Sequence, residues 1–430
     1  MSPLPMHRSP RRPARSVLLA ALAVAALAGT VLAAGCSTKS DALQAGTGGG
    51  LATGPGVTGE VIKLGVLTDR TGPFAAAGKA AEQGRTLFWA DRNAKGGVCG
   101  RQVEFVVKDH GYNAQHAVTA YSQVKNDVLA LDELLGSPMI AALLPSLQTD
   151  QMLTMAASWS SSLLANPYVI ISGTTYDLEM INGIDWLTRK RGLAKGDRIG
   201  HIFLEGDYGE NAAAGSKAAA AEHGLQLVEQ KIKPTDTDLT TQVTALRGAG
   251  VKFILLTTTP PQTASAVAVA EASGYDATFL GSNPSFSGAL LASPAKAALE
   301  KRLLVSTSLA PFSSDEAGPA QVRKAFLTKY PDQLKSTFVM YGYAQGEIMA
   351  QVLQTACTNG QLTRAGLLKA FQSLKDVRTD GLVAPLDYSK PGQIPARQVR
   401  LVRPDAGAPG GLTEVEGLFV APLATGYTQS

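Results

Sequence analysis

Gly72, Gly78 and Lys79 follow a short apolar run, close to the arrangement in which glycine amides and a lysine cradle phosphate groups. The chemistry fails on two counts. The two glycines are one residue too far apart, and Ala80 stands where a metal-binding hydroxyl belongs. The glycine run at 48–50 has no strand before it, so it is no dinucleotide fingerprint. His110, His116, His201 and His223 are scattered, without an HExxH pair or a Cys-x-x-Cys, and no metal site is expected. No G-x-S-x-G elbow exists. A carboxylate pair assembled only in three dimensions stays open, but the expectation is a protein that is not an enzyme and uses no cofactor.

The elements around that loop say more. Val61, Leu64, Val66 and Leu67 predict a strand that stops at Asp69, Thr71, Gly72 and Pro73. Ala80, Gly84, Leu87 and Phe88 carry helical spacing, Gly96-Gly97 close the helix, and Val103, Phe105 and Val107 alternate as a second strand. Such a βαβ unit puts the loop 68–78 at the carboxyl end of a parallel strand, where open α/β sheets bind ligands. A second block repeats the alternation. It has strands at 199–204, 226–232 and 253–256, with helices over 210–223, 239–248 and 262–273 between and after them. So many strands alternating with helices predict two α/β lobes, each a doubly wound parallel sheet. Helices over 340–357 and 363–374 and short strands near 382–387 and 397–402 complete the chain.

Composition excludes several classes. With 45% hydrophobic and 17% charged residues, the 430-residue chain can bury a large core. The formal charge of +4 invites a nucleic-acid reading, but Arg8, Arg11, Arg12 and Arg15 lie in a basic head with no acid. Without residues 1–35, 35 Lys and Arg face 35 Asp and Glu, so no global field attracts phosphate and no nucleic-acid partner is expected. The basic head, the uncharged stretch 17–35 and the run Leu32-Ala33-Ala34-Gly35-Cys36 predict an export signal over 1–35, with Cys36 lipidated as the new N-terminus. An uncleaved membrane helix is the alternative. Residues 36–58, rich in glycine, serine and threonine, predict a flexible tether. The expected place is the outer face of the cytoplasmic membrane. Cys99 and Cys357 are then an even pair in an oxidising compartment, either bridged or two separate buried thiols.

The stretch from Val61 to Asp109 resembles the opening of the leucine/isoleucine/valine-type solute-binding proteins of ABC importers, which have the type I periplasmic binding-protein fold. The matching residues are Gly65, Thr71-Gly72-Pro73-Phe74-Ala75, Gly78, Asn93, Gly96-Gly97 and Gly100. Asp207-Tyr208-Gly209, Asp236-Thr237-Asp238 and Gly342-Tyr343-Ala344 extend the likeness over roughly residues 59–400. The resemblance implies two lobes joined by a three-strand hinge, with solute held in the cleft between them. The crossings map near 169–174, 305–310 and 379–385. Lobe 1 is then 59–172 plus 309–382, and lobe 2 is 173–308 plus 383–430. It also implies a monomer that carries an amino acid or a related organic acid or amide to an ABC permease in the same membrane. A signalling receptor of the same fold, or an envelope enzyme or structural lipoprotein, is the rival.

By the same resemblance the ligand-binding residues are Ser160, Ser161, Tyr208, Thr259 and Asn283, with Trp159 beside them. The sequence departs from the family where the ligand matters most. No hydroxyl stands at the serine expected in Gly136-Ser137-Pro138-Met139-Ile140-Ala141. Asn283 replaces the acid that would pair with a ligand ammonium, and Ala77 replaces a frequent aromatic ring. The departures favour a larger or less zwitterionic solute.

Overall fold

The structure is a computed structural model that describes residues 50–428. The expected signal over 1–35, Cys36 and the tether up to residue 49 lie outside the described residues.

The first lobe takes its sheet from the N-terminal part of the chain. In order come β1 (Ala52–Thr53), β2 (Val61–Thr68), α1 (Ala75–Ala94), β3 (Gln102–Asp109), α2 (Ala114–Val124) and β4 (Ala130–Leu135). Then follow α3 (Ser137–Thr149), β5 (Thr154–Ala157) and β6 (Val169–Ile171). Strands pair in the order β3-β2-β4-β5-β6, all parallel. The second lobe begins with α4 (Tyr176–Arg191), β7 (Arg198–Leu204), α5 (Asp207–His223), β8 (Gln226–Ile232) and α6 (Thr240–Gly248). It continues with β9 (Phe253–Thr257), α7 (Pro260–Ala272), β10 (Thr278–Ser282), α8 (Lys296–Arg302) and β11 (Leu303–Thr307). The chain then returns to the first lobe for α9 (Ala317–Lys329), α10 (Thr337–Thr358), β12 (Gln361–Leu362) and α11 (Arg364–Ser373). It ends with β13 (Val399–Pro404), β14 (Leu412–Phe419) and α12 (Pro422–Gly426). The second sheet is ordered β14-β13-β11-β10-β9-β7-β8, parallel except where β13 and β14 turn antiparallel.

Residues 51–58 are not tether. β1 pairs with β12, the Gly54 amide donates to the Leu362 carbonyl at 2.8 Å, and Val57 bridges Ile62. Gly56 explains its own residue type: at φ +74° a Cβ would stand 2.7 Å from the Asp127 carbonyl oxygen. The polar composition that suggested mobility here serves a close backbone approach.

The lobes meet through hydrogen-bonded crossings. The Thr174 amide donates to Ser308 Oγ at 3.0 Å, Ala310 to the Leu382 carbonyl at 2.9 Å, and Ala384 to the Ser308 carbonyl at 3.1 Å. Arg400 of β13, almost wholly buried, adds ion pairs to Glu316 (2.9 Å) and Glu414 (2.5 Å). The stretch 387–395, assigned from sequence to the second lobe, packs on first-lobe residues. Tyr388 sits 4.7 Å from the Phe371 ring, and its hydroxyl donates to the Ile171 carbonyl at 3.0 Å. Ala396 then runs beside Thr174 toward the second sheet.

The helical spacing of α1 is used against α10. A Cβ at Gly84 would meet the Val339 carbonyl at 2.0 Å, and one at Gly342 the Ala81 carbonyl at 1.9 Å, so the two backbones touch because both residues are glycine. At that seam Arg85 is fully buried. Its Nε donates to Asp132 (2.8 Å) and its Nη2 to Glu133 (2.8 Å) and Gln345 (2.7 Å). Replacing it with leucine strands two buried carboxylates, so Arg85→Leu is expected to destabilise the protein by about 3–5 kcal/mol in denaturant melts. Cys99 and Cys357, with Cα atoms 6.5 Å apart, are joined as a disulfide that ties the α1–β3 turn to the end of α10. Alkylation of the unreduced protein followed by mass measurement should label neither cysteine, and label both after reduction.

Candidate functional site

The loop from Thr68 to Gly78 closes on its own carboxylate. Asp69 accepts from the amides of Thr71 (3.1 Å), Gly72 (2.5 Å) and Phe74 (2.9 Å), which uses up donors that a phosphate loop would offer to its ligand. The loop instead turns Phe74 into a chamber between the lobes. Its first-lobe wall is Phe74, Ala77, Ala81 and Tyr112, with Leu135, Ser137, Ala157, Ser158 and Trp159 from the ends of β4 and β5. Phe338 and Tyr341 come from the first two turns of α10. The second-lobe wall is Tyr176, Tyr208, Asn283 and Pro284. Each sits just beyond a strand's carboxyl end or in a helix's first turn, so the chamber falls where open α/β sheets place ligands. The space inside it that is open to the centre of a water-sized sphere is about 50 Å³, so the walls stand close together.

None of these lining side chains is charged, and most of their hydroxyls are already paired. Ser137 Oγ and Ser158 Oγ share a 2.6 Å hydrogen bond, as do Tyr208 OH and Ser282 Oγ. Tyr341 donates to the Ala156 carbonyl at 3.2 Å and accepts from Gln345 at 2.7 Å. Burial pushes the phenols of Tyr112, Tyr176, Tyr208 and Tyr341 above their ordinary value, so they remain neutral donors. Behind Asn283 lies Glu179 of α4, fully buried. Its Oε2 accepts from the Asn283 amide at 3.0 Å, and its Oε1 has no partner among the described residues. Burial raises this carboxyl well above the usual range, opposed by the Asn283 amide and reinforced by Asp177, which favours the neutral acid.

Of the residues expected from sequence, Tyr208 and Asn283 line the chamber, and so do Trp159 and Ala77. Ser160, Ser161 and Thr259 do not. Ser160 donates to Asp207 at 3.0 Å and Ser161 to Asp177 at 2.5 Å. Thr259 stands at the N-cap of α7, where its amide donates to the Gln262 side chain at 3.0 Å, the reciprocal arm of a capping box. Sequence reasoning passed over Tyr112, Tyr176, Phe338 and Tyr341. The available signal was position: an aromatic residue within a few places of a strand's end or a helix's start.

Two lobed α/β bodies around a chamber lined by strand ends define a class, the two-lobed binding proteins. The description "Periplasmic binding protein" matches residues 61–409, and the chain belongs to that family. A solved fatty acid ABC transporter substrate-binding protein from Thermomonospora curvata is 41% identical, covering 88% of this chain and 97% of its own, with a TM-score of 0.85. A branched chain amino acid ABC transporter protein from Thermus thermophilus with bound valine shares the fold at 19% identity, covering 86% and 98% of the two chains, with a TM-score of 0.75. The leucine-, isoleucine-, valine-, threonine- and alanine-binding protein of Pseudomonas aeruginosa is 25% identical over 228 residues, 52% of this chain. That match spans 60% of the curated relative's length.

Removing the Tyr208 hydroxyl leaves Ser282 Oγ buried without its partner. Tyr208→Phe is therefore expected to lower the ligand-free protein's stability by about 1–3 kcal/mol in thermal or denaturant melts.

Proposed function

We propose that the protein is the extracytoplasmic solute receptor of an ABC importer, and that its solute is a fatty acid or similar apolar acid rather than a branched-chain amino acid. The single observation that carries the choice is the uncharged, aromatic-rich lining of the chamber. An α-amino acid buried there would bring an ammonium group with no ionised partner on the walls, at a cost of several kcal/mol. An aliphatic tail, by contrast, is stabilised by about 0.8 kcal/mol per buried methylene. The carboxylate of such a solute needs only neutral donors: Ser137 at the start of α3 and Ser158 just beyond β5 share one hydrogen bond and leave one hydroxyl proton to give, the Tyr112 phenol adds another, and the helix terminus favours negative charge. The name of the Thermomonospora relative supports the same solute class.

In this reading no bond is made or broken. The lobes divide as the sequence suggested, 59–172 plus 309–382 and 173–308 plus 383–430, except that 387–395 goes with the first, and they close over the solute. A single chain lipidated at Cys36 holds the body close to its permease. Ser160, Ser161 and Thr259 support the cleft from behind, while Tyr208 and Asn283 touch the solute.

A thermal-shift series decides the solute class. Palmitate and decanoate at about 100 times their dissociation constants are expected to stabilise the protein by about 2.7 kcal/mol, and leucine or valine at millimolar concentration by nothing measurable. A larger shift with leucine would overturn the fatty-acid choice, and no shift with any solute would count against the receptor itself. Ala77→Phe, which fills chamber space, is expected to weaken palmitate binding about tenfold or more while sparing decanoate.

A further inference from the structure

The serines that fail to reach the chamber lie across the seam between the lobes. The short helical turn from Ser161 to Ala165 connects β5 to β6 and so belongs to the first lobe. Facing it is the first turn of α5, in the second lobe, with Asp207 at its first position. Ser160 Oγ donates to Asp207 Oδ1 at 3.0 Å, Ser162 Oγ donates to the same oxygen at 2.5 Å, and the two hydroxyls lie 2.8 Å apart. One step inward, Ser161 Oγ donates to Asp177 at 2.5 Å and accepts from Asn211 Nδ2 at 2.7 Å. Asn211 lies one helical turn beyond Asp207 on α5.

We propose that Ser160 and Ser162 of the first lobe and Asp207 of the second form a latch that holds the lobes closed over the chamber. They are positioning residues: none of the three lines the chamber, yet separating the lobes must break both hydrogen bonds to Asp207. The electrostatics give the latch its sensitivity. Asp207 is half-buried and its Oδ2 is buried with no hydrogen-bond partner among the described residues, so the closed state partly withdraws this carboxylate from water, and the two serines and the N-terminus of α5 compensate it. Without the serines, the half-buried carboxylate loses its side-chain donors and favours the separated lobes, where water replaces them. The affinity for any solute then falls in proportion to the lost closed population, without loss of a solute contact. The latch presupposes two lobes that separate, as the receptor reading does, but no particular solute.

The test uses the ligand-free full-length protein and hydrogen exchange at chamber walls away from the latch, the segments 74–81 and 283–286. Ser160→Ala/Ser162→Ala is expected to raise exchange there about tenfold, as loss of charge-assisted hydrogen bonds implies, with exchange in β2 and β7 unchanged. Asp207→Asn retains an acceptor for the serines and removes the half-buried charge, so it should leave the walls as protected as in the natural protein. Unchanged wall exchange in the serine variant would overturn the latch. So would equal loss of protection in Asp207→Asn, and so would a rise spread evenly over β2 and β7, which marks general destabilisation. Because no solute is added, these outcomes are independent of the fatty-acid choice.

Discussion

One buried guanidinium organises the first lobe. Arg85 reaches from α1 to Asp132 and Glu133 on β4 and to Gln345 on α10, tying a helix pair to the sheet beneath it. Its acceptors are two acids against one cation, and burial pushes Asp132 up to about 6 despite the pull of Arg85. Such an arrangement contributes specificity of register more than stability. The glycine contact of α1 with α10 fixes how close the helices come, and the arginine fixes which turns face each other. Gln345 passes that constraint on, because its amide nitrogen donates to Tyr341, whose ring is part of the chamber wall. The ring is therefore set from below by a charged network that the solute never meets.

The chamber is polar in composition and apolar in behaviour for the same reason. Four tyrosines and two serines line it, yet Ser137 is paired with Ser158, Tyr208 with Ser282, and Tyr341 with a carbonyl and an amide. Hydroxyls spent on one another present rings and methylenes to the interior. Glu179 repeats the pattern behind the wall, with one oxygen on a backbone amide and burial favouring the neutral acid. A site built this way disfavours a cation, which finds no ionised partner among the lining side chains.

The parts of this organisation written locally were legible in the sequence. The β2–α1–β3 unit and the alternation of strands and helices follow from period and turn residues, while Tyr208 and Asn283 followed from the family resemblance. What sequence could not give is direction. Ser160, Ser161 and Thr259 carry the right chemistry at the right depth, but their hydroxyls point at Asp207, Asp177 and a helix cap, and a side chain's direction depends on elements far away in the chain. Helix α4 was hidden for another reason. It buries Asp177, Glu179, Asn182 and Asp185 among its apolar residues, so no polar face marks its period. The glycine-rich run before β2 misled in the opposite sense, because glycine signals both mobility and close packing.

In the proposed receptor, hinge and seam divide the work of closure. The crossings at Thr174, Ser308–Ala310 and Leu382–Ala384 are bonded to one another through backbone amides, so they can bend together but not slide. That leaves rotation of one sheet against the other as the available motion, which separates surfaces most where they lie farthest from the hinge. Contacts near the axis change little on opening and contribute little to the balance. Contacts across the seam are made or lost entire, so a few hydrogen bonds there weigh more on the closed population than many within either lobe. The aromatic rings of the chamber act from the same position, Tyr176 and Tyr208 on one side and Phe74, Trp159 and Tyr341 on the other. On the proposed fatty-acid reading, a tail long enough to touch both sets adds its buried area to the closed state alone. On that reading tail length and lobe closure are one variable.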